Sequence, residues 1–94
     1  MNSEIITYNE SIKDKTRKSV GFLTIYEKTS LFGLRKQQIV NGANTYLSEQ
    51  ELVDISNIEE IVEREFKLNK LPFMICRTMP DGVKEYWKLE ELMN

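Results

Sequence analysis

Histidine is absent from this 94-residue chain, and cysteine occurs once, as Cys76. Without an imidazole, Ser-His and Cys-His nucleophilic catalysis are excluded. A zinc site lacks its usual donors, and a lone thiol forms no intramolecular disulfide, which fits a reducing compartment. The four glycines, Gly21, Gly33, Gly42 and Gly82, are scattered, so no glycine-rich phosphate loop exists. Asp14, Asp54 and Asp81 form no aspartate run of the kind that holds catalytic metals in nucleotidyl transfer. No apolar run approaches the roughly 20 residues of a membrane span. Met1-Asn2-Ser3-Glu4 lacks the basic and apolar opening of a secretory signal. A basic excess is missing too: 13 Lys and Arg stand against 15 Asp and Glu, a net charge of −2. Free-standing nucleic-acid binders normally carry the opposite balance. These absences predict an intracellular protein with no catalytic residues of its own, no metal, no cofactor and no membrane contact.

What is present reads as one small α+β domain. Residues 1–22 are set apart as a flexible N-terminal tail, with Ile5-Ile6-Thr7-Tyr8 open to a short strand or extended contact. Residues 13–18 are polar and charged, without apolar period. Thr24-Ile25-Tyr26-Glu27 matches a capping box, in which the Thr hydroxyl and the Glu carboxylate each satisfy a free N–H of the other. The first helix is predicted over 24–41, stopped by Asn41-Gly42. Its apolar residues point several ways. Ile25, Phe32 and Ile39 share one face, Leu31 and Leu34 point elsewhere, and Tyr26 and Val40 lie on a third side. Such a helix suits a position between its own domain and a partner. Gly33 at its centre costs about 1 kcal/mol relative to alanine, which a close backbone approach would justify.

After a loop over 42–56, a second helix is predicted from Ser56, with Ser56 and Glu59 as another capping box. Ile58, Ile61, Val62 and Phe66 mark its apolar face. Glu59, Glu60, Glu63 and Glu65 are assigned to the solvated face rather than to a metal or acid–base cluster. Pro72 closes this region. Residues 73–78 read as a strand, Pro80-Asp81-Gly82 as a turn, and 83–89 as the returning strand, with a last helical turn near 90–93. Two strands are not stable alone in water, so the hairpin must lean on a helix or join a further strand. Trp87 and Tyr86 are assigned to hydrophobic closure of the hairpin in preference to base stacking.

Two segments carry a family resemblance. The first is Leu23-Thr24-Ile25-Tyr26-Glu27 followed by Leu31-Phe32-Gly33-Leu34-Arg35 and Gln38-Ile39. The second is Lys70-Leu71-Pro72-Phe73-Met74-Ile75, Arg77, Pro80-Asp81-Gly82, Glu85, Trp87 and Glu91-Leu92. In order and spacing they resemble the omega-type small subunit of DNA-directed RNA polymerase, the archaeal K subunit and the eukaryotic shared sixth subunit. The resemblance implies a domain over 23–94 that binds and latches the largest, beta-prime-like subunit and promotes assembly. It implies heteromeric partners, and DNA and RNA met only through the assembled complex. Tyr26, Glu27, Gly33, Arg35 and Gln38 would then be partner-facing or helix-fixing. Arg77 and Trp87 would complete the docking surface, Thr24 would cap, and Pro80, Asp81 and Gly82 would set the turn.

The chain departs from the family pattern at two places. Cys76 stands where an arginine often precedes Arg77, which implies one ionic contact fewer. Asn44 follows Ala43 where proline is usual, which implies a different turn into the loop. The short, locally basic tail fits an archaeal or large-DNA-virus enzyme, cytoplasmic or virion-borne, better than a nuclear one. The competing reading is a free-standing nucleic-acid-binding regulator that uses the basic tail and Trp87.

Overall fold

The computed structural model of the chain describes residues 2–12 and 17–93. The element order is β1 (Asn2–Thr7), α1 (Ile25–Val40), α2 (Ile58–Lys67), β2 (Phe73–Thr78), β3 (Lys84–Lys88) and α3 (Leu89–Leu92). The expected α+β class stands. By their contacts the residues form two compact units, one from those up to Lys28 together with those from Pro72 on, the other Thr29–Leu71. Helix α1 begins in the first unit and continues into the second.

The first unit is built on an antiparallel sheet in the order β1-β2-β3. The hairpin falls at the expected place. Gly82 takes φ 88°, Asp81 Oδ1 accepts from the Val83 N–H at 3.0 Å, and the Gly82 N–H donates to Met79 O at 2.9 Å. The left-handed angle is what makes glycine the fitting residue there. The further strand that the hairpin needs is β1. Residues 1–22 read from sequence as a tail in which Ile5-Ile6-Thr7-Tyr8 is open to a short strand. In the structure Asn2–Thr7 pairs along the whole of β2, from Asn2 opposite Thr78 to Thr7 opposite Phe73. Ile5, Ile6 and Thr7 are β-branched and suit a pleated surface, and β2 has backbone groups on its second edge that need partners. The charged run falls partly on residues 13–16, which lie outside the described residues.

Register decides what shares a face. Arg77 is the cross-strand partner of both Ser3 and Glu85, which makes one row, and Ile5, Ile75 and Trp87 form the next row on that face. Met74 and Cys76 point to the other face, and every residue of β2 from Phe73 to Arg77 is buried. Leu89 and Leu92 of α3 complete this core.

In the second unit, Phe32 and Phe66 meet edge to face with centroids 5.3 Å apart. Leu31, Leu47, Val62 and Leu71 are buried. Helix α1 stops where expected: Gly42 has φ 100°, and Ala43 and Gly42 return their N–H groups to Gln38 and Ile39. Helix α2 is capped one residue later than predicted. Asn57 Oδ1 accepts from the Glu60 N–H at 2.9 Å, and Glu60 reaches back to the Ser56 N–H at 3.3 Å. Asparagine and serine are comparable N-cap residues, so the adjacent pair offers two starting points. The helix ends before Pro72, at a left-handed Asn69 with φ 55°, a residue that tolerates that conformation.

Candidate functional site

The buried stripe of α1 is charged at both ends. Glu27, Leu31 and Arg35 are four residues apart on one face, and each is exposed by no more than 1%. Two carboxylate–guanidinium centres follow from this, one in each unit.

In the first unit, Arg77 Nε and Nη2 donate to the two oxygens of Glu27, each at 2.8 Å. Glu27 also caps its own helix. It accepts from the Thr24 N–H at 3.0 Å while Thr24 Oγ1 accepts from the Glu27 N–H at 3.1 Å, the expected capping box. Ser3 Oγ adds a third donor at 2.6 Å. Burial alone would favour the neutral acid. The donors from Arg77, Ser3 and Thr24 outweigh it and hold the Glu27 carboxyl down at about 2. Arg77 spends its remaining N–H groups on Ser19 Oγ, Val20 O and Phe22 O. Glu85, its neighbour in the row, accepts from the Lys18 N–H, from Ser19 and from Trp87 Nε1. Here too burial opposes ionisation, and those donors bring the carboxyl to about 2. The guanidiniums of Arg17 and Arg77 lie over the Trp87 ring, 4.2 and 5.4 Å from its centroid.

In the second unit, Arg35 donates to both oxygens of Glu65 at 2.7 and 2.9 Å. It also reaches Gln38 Oε1 at 3.2 Å and Asn44 O at 2.9 Å. Glu65 accepts further from Thr45 Oγ1 and the Tyr46 N–H. Its carboxyl is held below the usual range because these donors outweigh burial. Glu65 corrects the sequence reading, which put it on the solvated face of α2. It lies seven residues after Ile58 and three after Val62, so it falls on the buried face with them. That spacing was the available signal. Glu85 could likewise have been placed opposite Arg77 once the hairpin turn was fixed.

The named residues therefore divide. Glu27, Arg35, Arg77 and Trp87 are buried and engaged within the chain, and Gln38 is half-buried against Arg35. Tyr26 is 72% exposed, and it lines an open cleft of about 590 Å³ with Asn2, Ser3, Glu4 and Thr24. Ile25 beside it is 80% exposed. Gly33 is exposed, and a Cβ built on it meets nothing within 4 Å, so among the described residues no backbone requires glycine there. Pro80, Asp81 and Gly82 are exposed at the turn. Cys76 is buried in β2, and Asn44 contributes its carbonyl to Arg35. Trp87, 8% exposed and covered by guanidiniums, offers no open ring for a base.

Chemically, these centres fix structure. Each carboxylate is saturated by donors and stays ionised far below neutral pH, whereas a general acid or base needs a pKa near the working pH. Among the described residues no group of His, Cys, Asp and Glu is arranged to hold a metal ion, and no helix is long and apolar enough to cross a membrane.

No family model matches the chain. Relatives do. A Caenorhabditis briggsae protein described as a probable DNA-directed RNA polymerases I, II, and III subunit RPABC2 is 31% identical over 91 residues, 97% of this chain and 64% of its own. The Dictyostelium discoideum RPABC2 subunit is 32% identical, over 86% of this chain and 59% of its own. Subunit 6B of Arabidopsis thaliana RNA polymerases II and V is 34% identical, over 84% and 53%. The homologues of this chain are subunits of DNA-directed RNA polymerases. They bear out the omega-type resemblance, and at 97% of the chain the match to a shared sixth subunit extends over both units. The chain spans 64% of the length of the nematode subunits it matches.

Proposed function

We propose that this chain is a non-catalytic subunit of a multisubunit DNA-directed RNA polymerase. In this reading it binds and latches the largest subunit and promotes assembly and stability of the enzyme. Homology to shared polymerase subunits over nearly the whole chain carries the proposal. The geometry supports it. Two buried ion pairs fix α1 from within, and apolar side chains remain outside it: Ile25 and Tyr26 on its first turn, Leu34 and Val40 further along. A helix secured on one stripe and apolar elsewhere suits a chain whose remaining face is covered by another protein. Gly33, unneeded by this chain's own packing, fits a place where partner backbone comes close. Nucleotidyl transfer then belongs to other subunits, and nucleic acid is met only through them. The compartment is that of the polymerase: cytoplasm or virion for an archaeal or viral enzyme, nucleus for a eukaryotic one.

The test is co-purification from the native source. A very large catalytic chain is expected to accompany this one, and Tyr26→Ala should lower its recovery. A polymerase that assembles and transcribes normally when this chain is withheld would overturn the assembly role.

A further inference from the structure

The segment that precedes α1 in the first unit runs beside the sheet in an unusual way. From Arg17 to Leu23 it forms neither helix nor strand. Among the described residues, its backbone bonds to the backbone of the rest of the chain once, from the Leu23 N–H to Leu92 O at 3.1 Å. Its other bonds to the rest of the unit run through side chains. Arg17 forms a paired bridge to Glu91, 2.8 Å on each arm, and donates to Tyr86 O at 2.9 Å. The Lys18 N–H, the Ser19 N–H and the Ser19 hydroxyl all donate to the one carboxylate of Glu85. Val20 O and Phe22 O accept from Arg77.

We propose that residues 17–23 are a strap latched by charge, which opens from the sheet and closes on it as a unit, with Glu85 as the latch. Local openings of this kind occur where few buried apolar contacts hold a segment, and the strap's large apolar side chains Val20 and Phe22 are 45% and 50% exposed. Three strap donors converge on Glu85, and only an ionised carboxylate accepts all of them together with the Trp87 N–H. A second observation points to a closure that is complete but not optimal. Arg17 Nε is a buried side-chain nitrogen with no hydrogen-bond partner among the described residues, a cost that opening removes. Closing builds the Arg17 cover on Trp87 and joins the strap, through Arg77, to the Glu27 cap of α1. The strap and the start of α1 are thus one linked arrangement. The proposal is independent of the polymerase reading.

The experiment is native-state trypsin cleavage of the full chain, comparing wild type with Glu85→Gln and Ser19→Ala. It reads the Lys18–Ser19 bond in the strap against the Arg77–Thr78 bond in β2. A glutamine accepts at one oxygen and presents an amide donor to donors. Loss of charge-assisted bonds should then raise strap cleavage on the order of tenfold or more. Ser19→Ala should raise it several-fold, and Arg77–Thr78 should stay protected in both. Trp87 emission should shift to the red in Glu85→Gln as its cover lifts. Equal acceleration at both bonds would mean that the strap does not open apart from the sheet. No acceleration at Lys18–Ser19 would mean that Glu85 is not the latch. Either result overturns the proposal.

Discussion

Arg77 and Glu27 stand 50 residues apart in the chain and share two hydrogen bonds of 2.8 Å in a pair that is almost wholly out of contact with water. Neither residue is expendable while the other remains. Removing one partner leaves a buried charge uncompensated, which costs about 3–5 kcal/mol, whereas replacing both with well-packed apolar residues is often neutral. Arg77→Ala and Glu27→Ala are each expected to destabilise the chain by about that amount. The double variant Glu27→Leu with Arg77→Met should recover most of the loss. Urea unfolding of the four proteins measures this, and simple additivity of the single losses would count against the pairing as described.

Acid should act on the same groups. The Glu27 and Glu85 carboxyls lie at about 2 in the fold, against an ordinary value of 4.5. A carboxylate whose pKa is depressed by folding contributes stability that is fully present above its unfolded value and is lost as pH falls through the folded one. Stability is expected to decline from about pH 4.5 toward pH 2, with Glu65, shifted the same way, contributing. Urea midpoints taken across this range check it. Glu27→Leu with Arg77→Met should show a shallower slope than the parent.

Two glycines should respond oppositely to alanine. Gly82 has φ 88° and sits in the hairpin turn, so Gly82→Ala should destabilise by about 1–2 kcal/mol. Gly33 is helical, with open space where a Cβ would go. Gly33→Ala should stabilise the free chain by up to about 1 kcal/mol. If partner backbone approaches there, the same change lowers recovery of the large subunit. Thermal unfolding and co-purification, run on the same protein, separate the two effects.

Tyr26 and Arg35 should part company in the same pair of assays. Tyr26 is exposed, so Tyr26→Ala should leave free-chain stability within about 0.5 kcal/mol while weakening association. Arg35→Ala strands Glu65 and should lower stability itself, by about 3–5 kcal/mol. A loss of association in Arg35→Ala therefore reports a damaged fold before it reports a lost contact.

Much of this arrangement was legible in the residues, and the reasons differ from place to place. Thr24 and Glu27, Asn41-Gly42 and Pro80-Asp81-Gly82 are local devices whose geometry depends on neighbours within a few positions. They appear where the sequence puts them. Strand β1 was less visible because its partner lies some 70 residues on, and Ile5-Ile6-Thr7 is too short to declare itself. The buried charges were hardest. Glu65 sits at an apolar-face position of α2, and a run of four glutamates on that helix invites a solvated reading. The α1 stripe was hidden for a related reason. Two of its three buried residues, Glu27 and Arg35, are ionised, so an apolar period could not reveal it.

The row of Ser3, Arg77 and Glu85 across the sheet has one more consequence. Side chains alternate faces along a strand, so a slip of β2 by one residue turns Arg77 to the opposite face. Glu27 would then lose both guanidinium bonds and be left a buried carboxylate without its cation. A row of apolar residues would lose burial in such a slip, and this row would lose a buried ion pair besides. Here the misaligned sheet is penalised by charge as well, and the native alignment is the one in which Arg77 meets Glu27. Arg77 thereby ties strand alignment to the helix cap, and a near-miss in register costs the fold a buried ion pair as well.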